Sequence, residues 1–164
     1  MRKFTALACA VSAAAPAVAQ APNTHVSRYG PPIAAAKALA LIQKGIERSA
    51  AEGHRMAFAV VEPSGELVAF ARMDDVPYAS IRLAQQKART AARLRITTME
   101  LEERVLRGRS VLLSSDEVIA IGGGVPIMAD GRVIGALGVS GATAAQDAAV
   151  AAATIARSKE SGRP

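Results

Sequence analysis

Two tight turns constrain the fold of this chain more than any other feature. Asp130-Gly131 separates the apolar runs Val125–Met128 and Val133–Ser140. An Asp-Gly pair between such runs marks a two-residue hairpin, because both turn positions need positive φ. Glu62-Pro63-Ser64-Gly65-Glu66 also has turn chemistry and lies between Met56–Val61 and Leu67–Met73, so a second hairpin is expected. Antiparallel ribbons cannot bury their apolar faces alone, and the remaining segments supply helices to cover them. An Ala-rich stretch runs from Pro32 to Glu52, with Ile33, Ala36, Ala40, Ile42 and Ile46 at roughly helical spacing and Gly53 as its stop. Ser80–Leu94 contains no helix breaker. Thr97 with Glu100, and Thr143 with Gln146, have capping-box spacing and open helices that reach about Arg107 and Arg157. Val118–Ile121 reads as one more short strand, running into Gly122-Gly123-Gly124. The order helix, hairpin, helices, hairpin, helix predicts an α+β fold, an antiparallel sheet with helices packed on it.

At 164 residues the chain has room for one ordinary domain. Its single cysteine, Cys9, excludes a disulfide scaffold and a Cys-based zinc site. Arg2 and Lys3 precede the short apolar run Phe4–Val18, and Ala17-Val18-Ala19 offers small residues for signal-peptidase cleavage. Residues 1–19 therefore read as a signal peptide, 20–31 as a flexible arm and 32–160 as the domain. The expected location is the periplasm or the medium. Lysine and arginine total 20 against 14 acids. Export and the sparse aromatics argue against nucleic acid as a partner, whereas an anionic surface or small acidic ligand suits a basic exported domain.

Gly122-Gly123-Gly124 lacks the Lys-Ser/Thr of a phosphate loop, and Gly138-Val139-Ser140-Gly141 lacks the dinucleotide-binding pattern. As a pair flanking one hairpin, next to the start of the last helix, these segments offer backbone N–H groups to a carboxylate. On the helix Ser80–Leu94, Arg82, Gln86, Arg89 and Arg93 form a solvated stripe. Lys87 falls instead with Ser80, Leu83, Thr90 and Leu94, beside Ala84 and Ala91. It is placed either to neutralise a buried anion or to snorkel at the edge of the packed face. The two histidines, His25 in the arm and His54 after Gly53, have no metal-motif spacing to another ligand. Ser140, His54 and Asp147 make a triad on paper only, without a nucleophile elbow. Glu100 and Glu103 read as a cap and a solvated face rather than a cation site.

Four segments then add up to a pattern: Ala71-Arg72-Met73-Asp74; Lys87-Ala88-x-Thr90-Ala91; Gly122-Gly123-Gly124-Val125-Pro126; and Gly135-x-x-Gly138-x-Ser140-Gly141 followed by Gln146-Asp147. With them the chain resembles the GlcG/HbpS-like haem-binding family over nearly all of Ala34–Ala156. The resemblance implies a profilin-like α/β sandwich, homo-oligomers from dimer to octamer, and haem as cofactor, with a corrinoid in relatives fused to cobalamin adenosyltransferases. The ligand-binding candidates are Lys87, Thr90, Arg72, Gly123, Gly124, Pro126, Ser140 and Gly141. The iron ligand stays open among Thr90, His25 and His54. The expectation is an exported, non-catalytic haem-binding protein for sequestration or sensing, with a membrane sensor as a further partner. The alternative is an enzyme or accessory protein of small carboxylic acid catabolism, of isomerase, hydratase or decarboxylase type, using Lys87 and the glycine segments.

Overall fold

The structure is a computed structural model that describes residues 27–160, with side chains to residue 156. Strands β1 (Arg28–Tyr29), β2 (Ala57–Val61), β3 (Leu67–Arg72), β4 (Gly124–Ala129) and β5 (Arg132–Ser140) form one sheet. Helices α1 (Ala35–Ala51), α2 (Tyr78–Leu94), α3 (Thr98–Leu106) and α4 (Ala144–Glu160) surround it. The fold is α+β, and both expected hairpins form. Asp130 (φ 49°) and Gly131 (φ 70°) make the turn between β4 and β5 with the backbone that a two-residue hairpin needs. The four main strands are antiparallel in the spatial order β4-β5-β2-β3. β4 is an edge strand, which is where Pro126 can sit without breaking a ladder.

Local signals fix the helix ends. Gly53, at φ 73°, donates to Ala50 O while His54 donates to Ser49 O, which closes the α1 C-terminus with the double bond pattern of a glycine cap. Thr143 and Gln146 exchange bonds at the start of α4: Thr143 Oγ1 accepts from Gln146 N, and Gln146 Oε1 accepts from Thr143 N.

The sheet has two unlike faces. Met56, Phe58, Val60, Leu137 and Val139 point toward α1 and α4 and meet Leu41, Ile42, Val150 and Ile155. Full burial of each large side chain contributes about 1.5–3 kcal/mol. Gly45 on α1 leaves room for Phe58, since a Cβ there would lie 2.6 Å from the ring. The other face carries Ala57, Ala59, Val61 and Ala136 against Ala84, Ala88, Ala91 and Ala92. Here α2 lies almost on the sheet backbone, and a Cβ at Gly138 would collide with Ala84 O. In β5 the extra residue Ile134 sits opposite the Ile127–Met128 step, so Ile134 joins Leu137 and Val139 on the large-residue face.

Two expectations need correction. The stretch 20–31 is not wholly a loose arm. Arg28–Tyr29 pairs in parallel with Arg132–Val133, on the part of the β5 edge that β2 leaves free. Tyr29 Oη donates to Arg93 O (2.7 Å) at the end of α2, where the carbonyls have no partners of their own. The Arg95 guanidinium stacks on the Tyr29 ring and donates to Ser27 O. The second correction is Val118–Ile121, which is not a strand. The Thr90 hydroxyl donates to Glu117 O (3.0 Å) and accepts from Ile119 N (3.1 Å), so the backbone of this run bonds a side chain instead of a neighbouring strand.

Candidate functional site

Lys87 leaves the third turn of α2 on its inner face and reaches the end of the sheet. Its Nζ lies 2.7 Å from Asp147 Oδ2 and donates to Val139 O at 3.2 Å. The two side chains are only 1% and 2% exposed. Asp147 belongs to the first turn of α4, where the helix dipole favours a carboxylate, and its Oδ1 accepts from Ala142 N at 3.0 Å. The anion that meets Lys87 is thus supplied by the chain itself.

The glycine turn wraps this pair. Gly123 (φ 127°) adopts a backbone that disfavours side chains, and a Cβ there would come within 3.0 Å of both Lys87 Nζ and the Asp147 side chain. The Gly122 N–H donates to Glu102 Oε2 (2.6 Å) and the Gly124 N–H to Thr98 Oγ1 (2.7 Å). The sequence predicts a ligand carboxylate on these N–H groups, and in the structure α3 fills that role with its own side chains. Sequence spacing singles out Glu100 and Glu103 and gives Glu102 no signal of its own. Those two instead pair along α3 with Arg104 (2.6 Å) and Arg107 (3.8 Å).

The structure brings together Lys87, Gly123 and Gly124, with Ser140 and Gly141 at the same end of β5. Gly141 packs against the carbonyl of Arg55. Thr90 is buried nearby on α2, with its hydroxyl engaged as described. Pro126 sits further along β4 opposite Ala136. Arg72 lies apart, exposed at the end of β3, where it borders an open depression with Asp74, Asp75 and Tyr78. His54 is at the corner between α1 and β2, and His25 lies outside the described residues. Among the described residues no three His, Cys, Asp or Glu side chains gather into a metal site. No helix among them is long and apolar enough to cross a membrane.

A different surface offers itself to an amphipathic ligand. After α3 the chain makes a 3₁₀ turn, Ser110–Ser114, that packs on α3 and buries none of its residues. Leu106, Val111 and Leu113 are 79%, 68% and 58% exposed on this α3–3₁₀ shelf. Arg104, Arg107 and Arg109 stand beside them in sequence. Exposed apolar side chains in such a group are a mark of interaction surfaces. The shelf fits haem by the chemistry of its donors: apolar side chains for a flat macrocycle, guanidinium groups for its carboxylates.

Comparison with known proteins gives a consistent picture. Residues 33–156 match the family model described as "Haem degrading protein HbpS-like". The GlcG protein of Escherichia coli is 42% identical over 103 residues, which covers 63% of this chain and 77% of that protein. A solved complex of PduOC with haem superposes with a TM-score of 0.68 at 30% identity, covering 76% of this chain and 94% of the other. A double mutant of HbpS from Streptomyces reticuli has a TM-score of 0.72 at 25% identity, covering 89% and 98%.

Proposed function

Because the chain belongs to the HbpS-like family, we propose that it is an exported haem-binding protein that holds its ligand against the α3–3₁₀ shelf. The observation that carries this reading is the exposure of Leu106, Val111 and Leu113 beside three arginines. Burial of apolar surface stabilises contact with the macrocycle by about 25 cal/mol per Å². Arg109, which makes no ion pair among the described residues, would hold a propionate, and Arg104 and Arg107 would join it by leaving their exposed pairs with Glu100 and Glu103. When bound, haem supplies a redox-active iron centre, while the chain binds and orients the group.

The reading is binding rather than turnover, and two features support it. Lys87, which an enzyme would need as base or anion anchor, is closed off by Asp147. Two of the glycine-turn N–H groups, those of Gly122 and Gly124, are likewise spent on Glu102 and Thr98. Export rests on the sequence of residues 1–19 alone, and assembly into homo-oligomers and docking to a membrane sensor are part of the same proposal.

The test is a haemin titration of the mature protein followed in the Soret band. Wild type should saturate at micromolar protein. Leu106→Asp with Val111→Asp should weaken binding about tenfold or more, the equivalent of about 1.4 kcal/mol. Leu39→Asp, at another exposed leucine on α1, should change nothing. A wild type without a saturable shift would overturn haem binding, and a shelf variant that binds normally would overturn the location.

A further inference from the structure

One edge of the sheet is left open to a partner. The chain closes the other free edges in two ways. Pro126 on β4 offers no N–H to an incoming strand. β1 covers the part of the β5 edge that β2 leaves free. β3 pairs only with β2, and its main other contact is with α1 on one face. Neither proline nor charge interrupts Leu67–Ala71. The bulge at the Val60–Val61 step disturbs only the Leu67–Val68 end, so Ala69–Arg72 runs regularly.

The ladder fixes which backbone groups of β3 are free. The Met73 N–H donates to Met56 O at 3.0 Å. Residues of an antiparallel strand alternate in the side to which they bond, so Ala71 and Ala69 also bond inward, to Phe58 and Val60. The N–H and C=O groups of Phe70 and Arg72 then point away from β2. Among the described residues no backbone group meets them there. Leu67, Phe70 and Arg72 lie opposite Val61, Ala59 and Ala57, so their side chains share the α2 face of the sheet.

That face carries positive charge at both ends of an apolar middle. A groove of about 260 Å³ runs beside Leu67, lined from α2 by Arg82, Gln85, Gln86 and Arg89. Arg72 and Arg82 make no ion pair among the described residues, and Arg89 reaches Glu66 only at 3.5 Å. Asp74 and Asp75 follow Arg72 beyond the end of the strand. Between the two ends, Leu67 is 50% exposed and Phe70 is half-buried.

We propose that β3 accepts an extended segment of a partner protein as an additional antiparallel strand, and that this segment has the pattern acid-x-apolar-x-acid. Residues opposite one another across strands share a face. One acid therefore meets Arg72, the apolar residue covers Phe70 and Leu67, and the other acid meets Arg82 and Arg89. Main-chain bonds to Phe70 and Arg72 hold the segment, and the arginines select it.

The site is independent of the haem reading and is tested separately. The probe is a fluorescein-labelled peptide with Glu-Thr-Val-Thr-Glu at its centre, followed by fluorescence anisotropy as protein is added. It should bind saturably, and the Lys-Thr-Val-Thr-Lys counterpart about tenfold more weakly or worse. N-Methylation of the valine removes the N–H aimed at Phe70 with every charge kept, and should also weaken binding about tenfold. An antiparallel segment sets its first acid against position 72. Arg72→Glu, with its fold checked by circular dichroism, should therefore prefer Lys-Thr-Val-Thr-Glu to Glu-Thr-Val-Thr-Lys. Equal affinity for the N-methylated peptide would reduce the site to charge attraction and overturn the proposal. So would equal affinity for the Lys counterpart, the opposite preference in Arg72→Glu, or no saturable binding of the first peptide. A dimer seen by sedimentation that Arg72→Glu dissociates would also overturn it, because a second copy then fills the edge.

Discussion

Lys87→Met should cost stability rather than ligand. The substitution roughly keeps the length of the side chain and removes the ammonium. Asp147 then loses its 2.7 Å partner and keeps the Ala142 N–H on its other oxygen, and Val139 O loses a donor. Breaking a buried pair by deleting one member costs about 3–5 kcal/mol, because the other charge is stranded away from water. Domains of this kind have about 5–15 kcal/mol in all, so the loss is a large share. At about 2–4 °C per kcal/mol for a chain of this length, the melting temperature should fall by about 6–20 °C. Urea unfolding followed by far-UV circular dichroism would show a lower midpoint with an unchanged slope. Asp147→Leu should cost a similar amount, by stranding the ammonium. The double variant should recover much of the loss, since an apolar replacement of a whole buried pair is often near neutral. The cycle should give a coupling of about 3 kcal/mol between the two positions. A cost below about 1 kcal/mol for Lys87→Met, or a double variant that simply adds the two losses, would refute the account. The folded fraction of Lys87→Met should bind haemin as wild type does.

Gly138→Ala should destabilise at or above the upper end of the 1–3 kcal/mol range typical of overpacking, because its methyl group meets Ala84 O and lies 2.7 Å from Ala88 N; an unchanged melting temperature would refute the contact. Thr90→Val removes two hydrogen bonds to the Glu117–Ile119 loop and should cost about 1–3 kcal/mol. Hydrogen exchange should then quicken at the Ile119 amide and stay slow in β2; equal quickening in both would mean that the loop is not a separate unit.

The parts of the fold that were legible in the sequence are those governed by short-range chemistry. Asp130-Gly131, the Gly53 cap and the Thr143–Gln146 box each act within a few residues, and each formed where expected. The inward placement of Lys87 also followed from helical periodicity. Its partner did not, because Asp147 lies sixty positions away and only the folded sheet brings the two together. Glu102 was hidden for the same reason. Spacing along α3 pairs Glu100 and Glu103 with arginines one turn on, but the glycine turn comes from beyond the helix and selects the residue between them. β1 was illegible because two residues make almost no local pattern, and its support comes from Arg93 and Arg95 at the end of α2. Val118–Ile121 is apolar enough for a strand, yet a single threonine on α2 claims its backbone first.

The close seat of α2 bears on how this protein can change over time. On the α1–α4 side, contact is made by branched and aromatic side chains, so one shape can be exchanged for another of similar volume with modest repacking. On the α2 side, the main chain itself meets the main chain at Gly124 and Gly138, and alanine fills most of the remainder. At those main-chain contacts no rotamer can swing aside, and only Val61, Val76, Phe70 and Met73 around the layer have side chains that could be traded for smaller ones. Sequence drift should therefore be strongly lopsided, with the large-residue layer free to vary and the small-residue layer nearly frozen. A change that enlarges one residue of that layer would have to move the helix as a whole, and with it the lysine that pins the helix to α4.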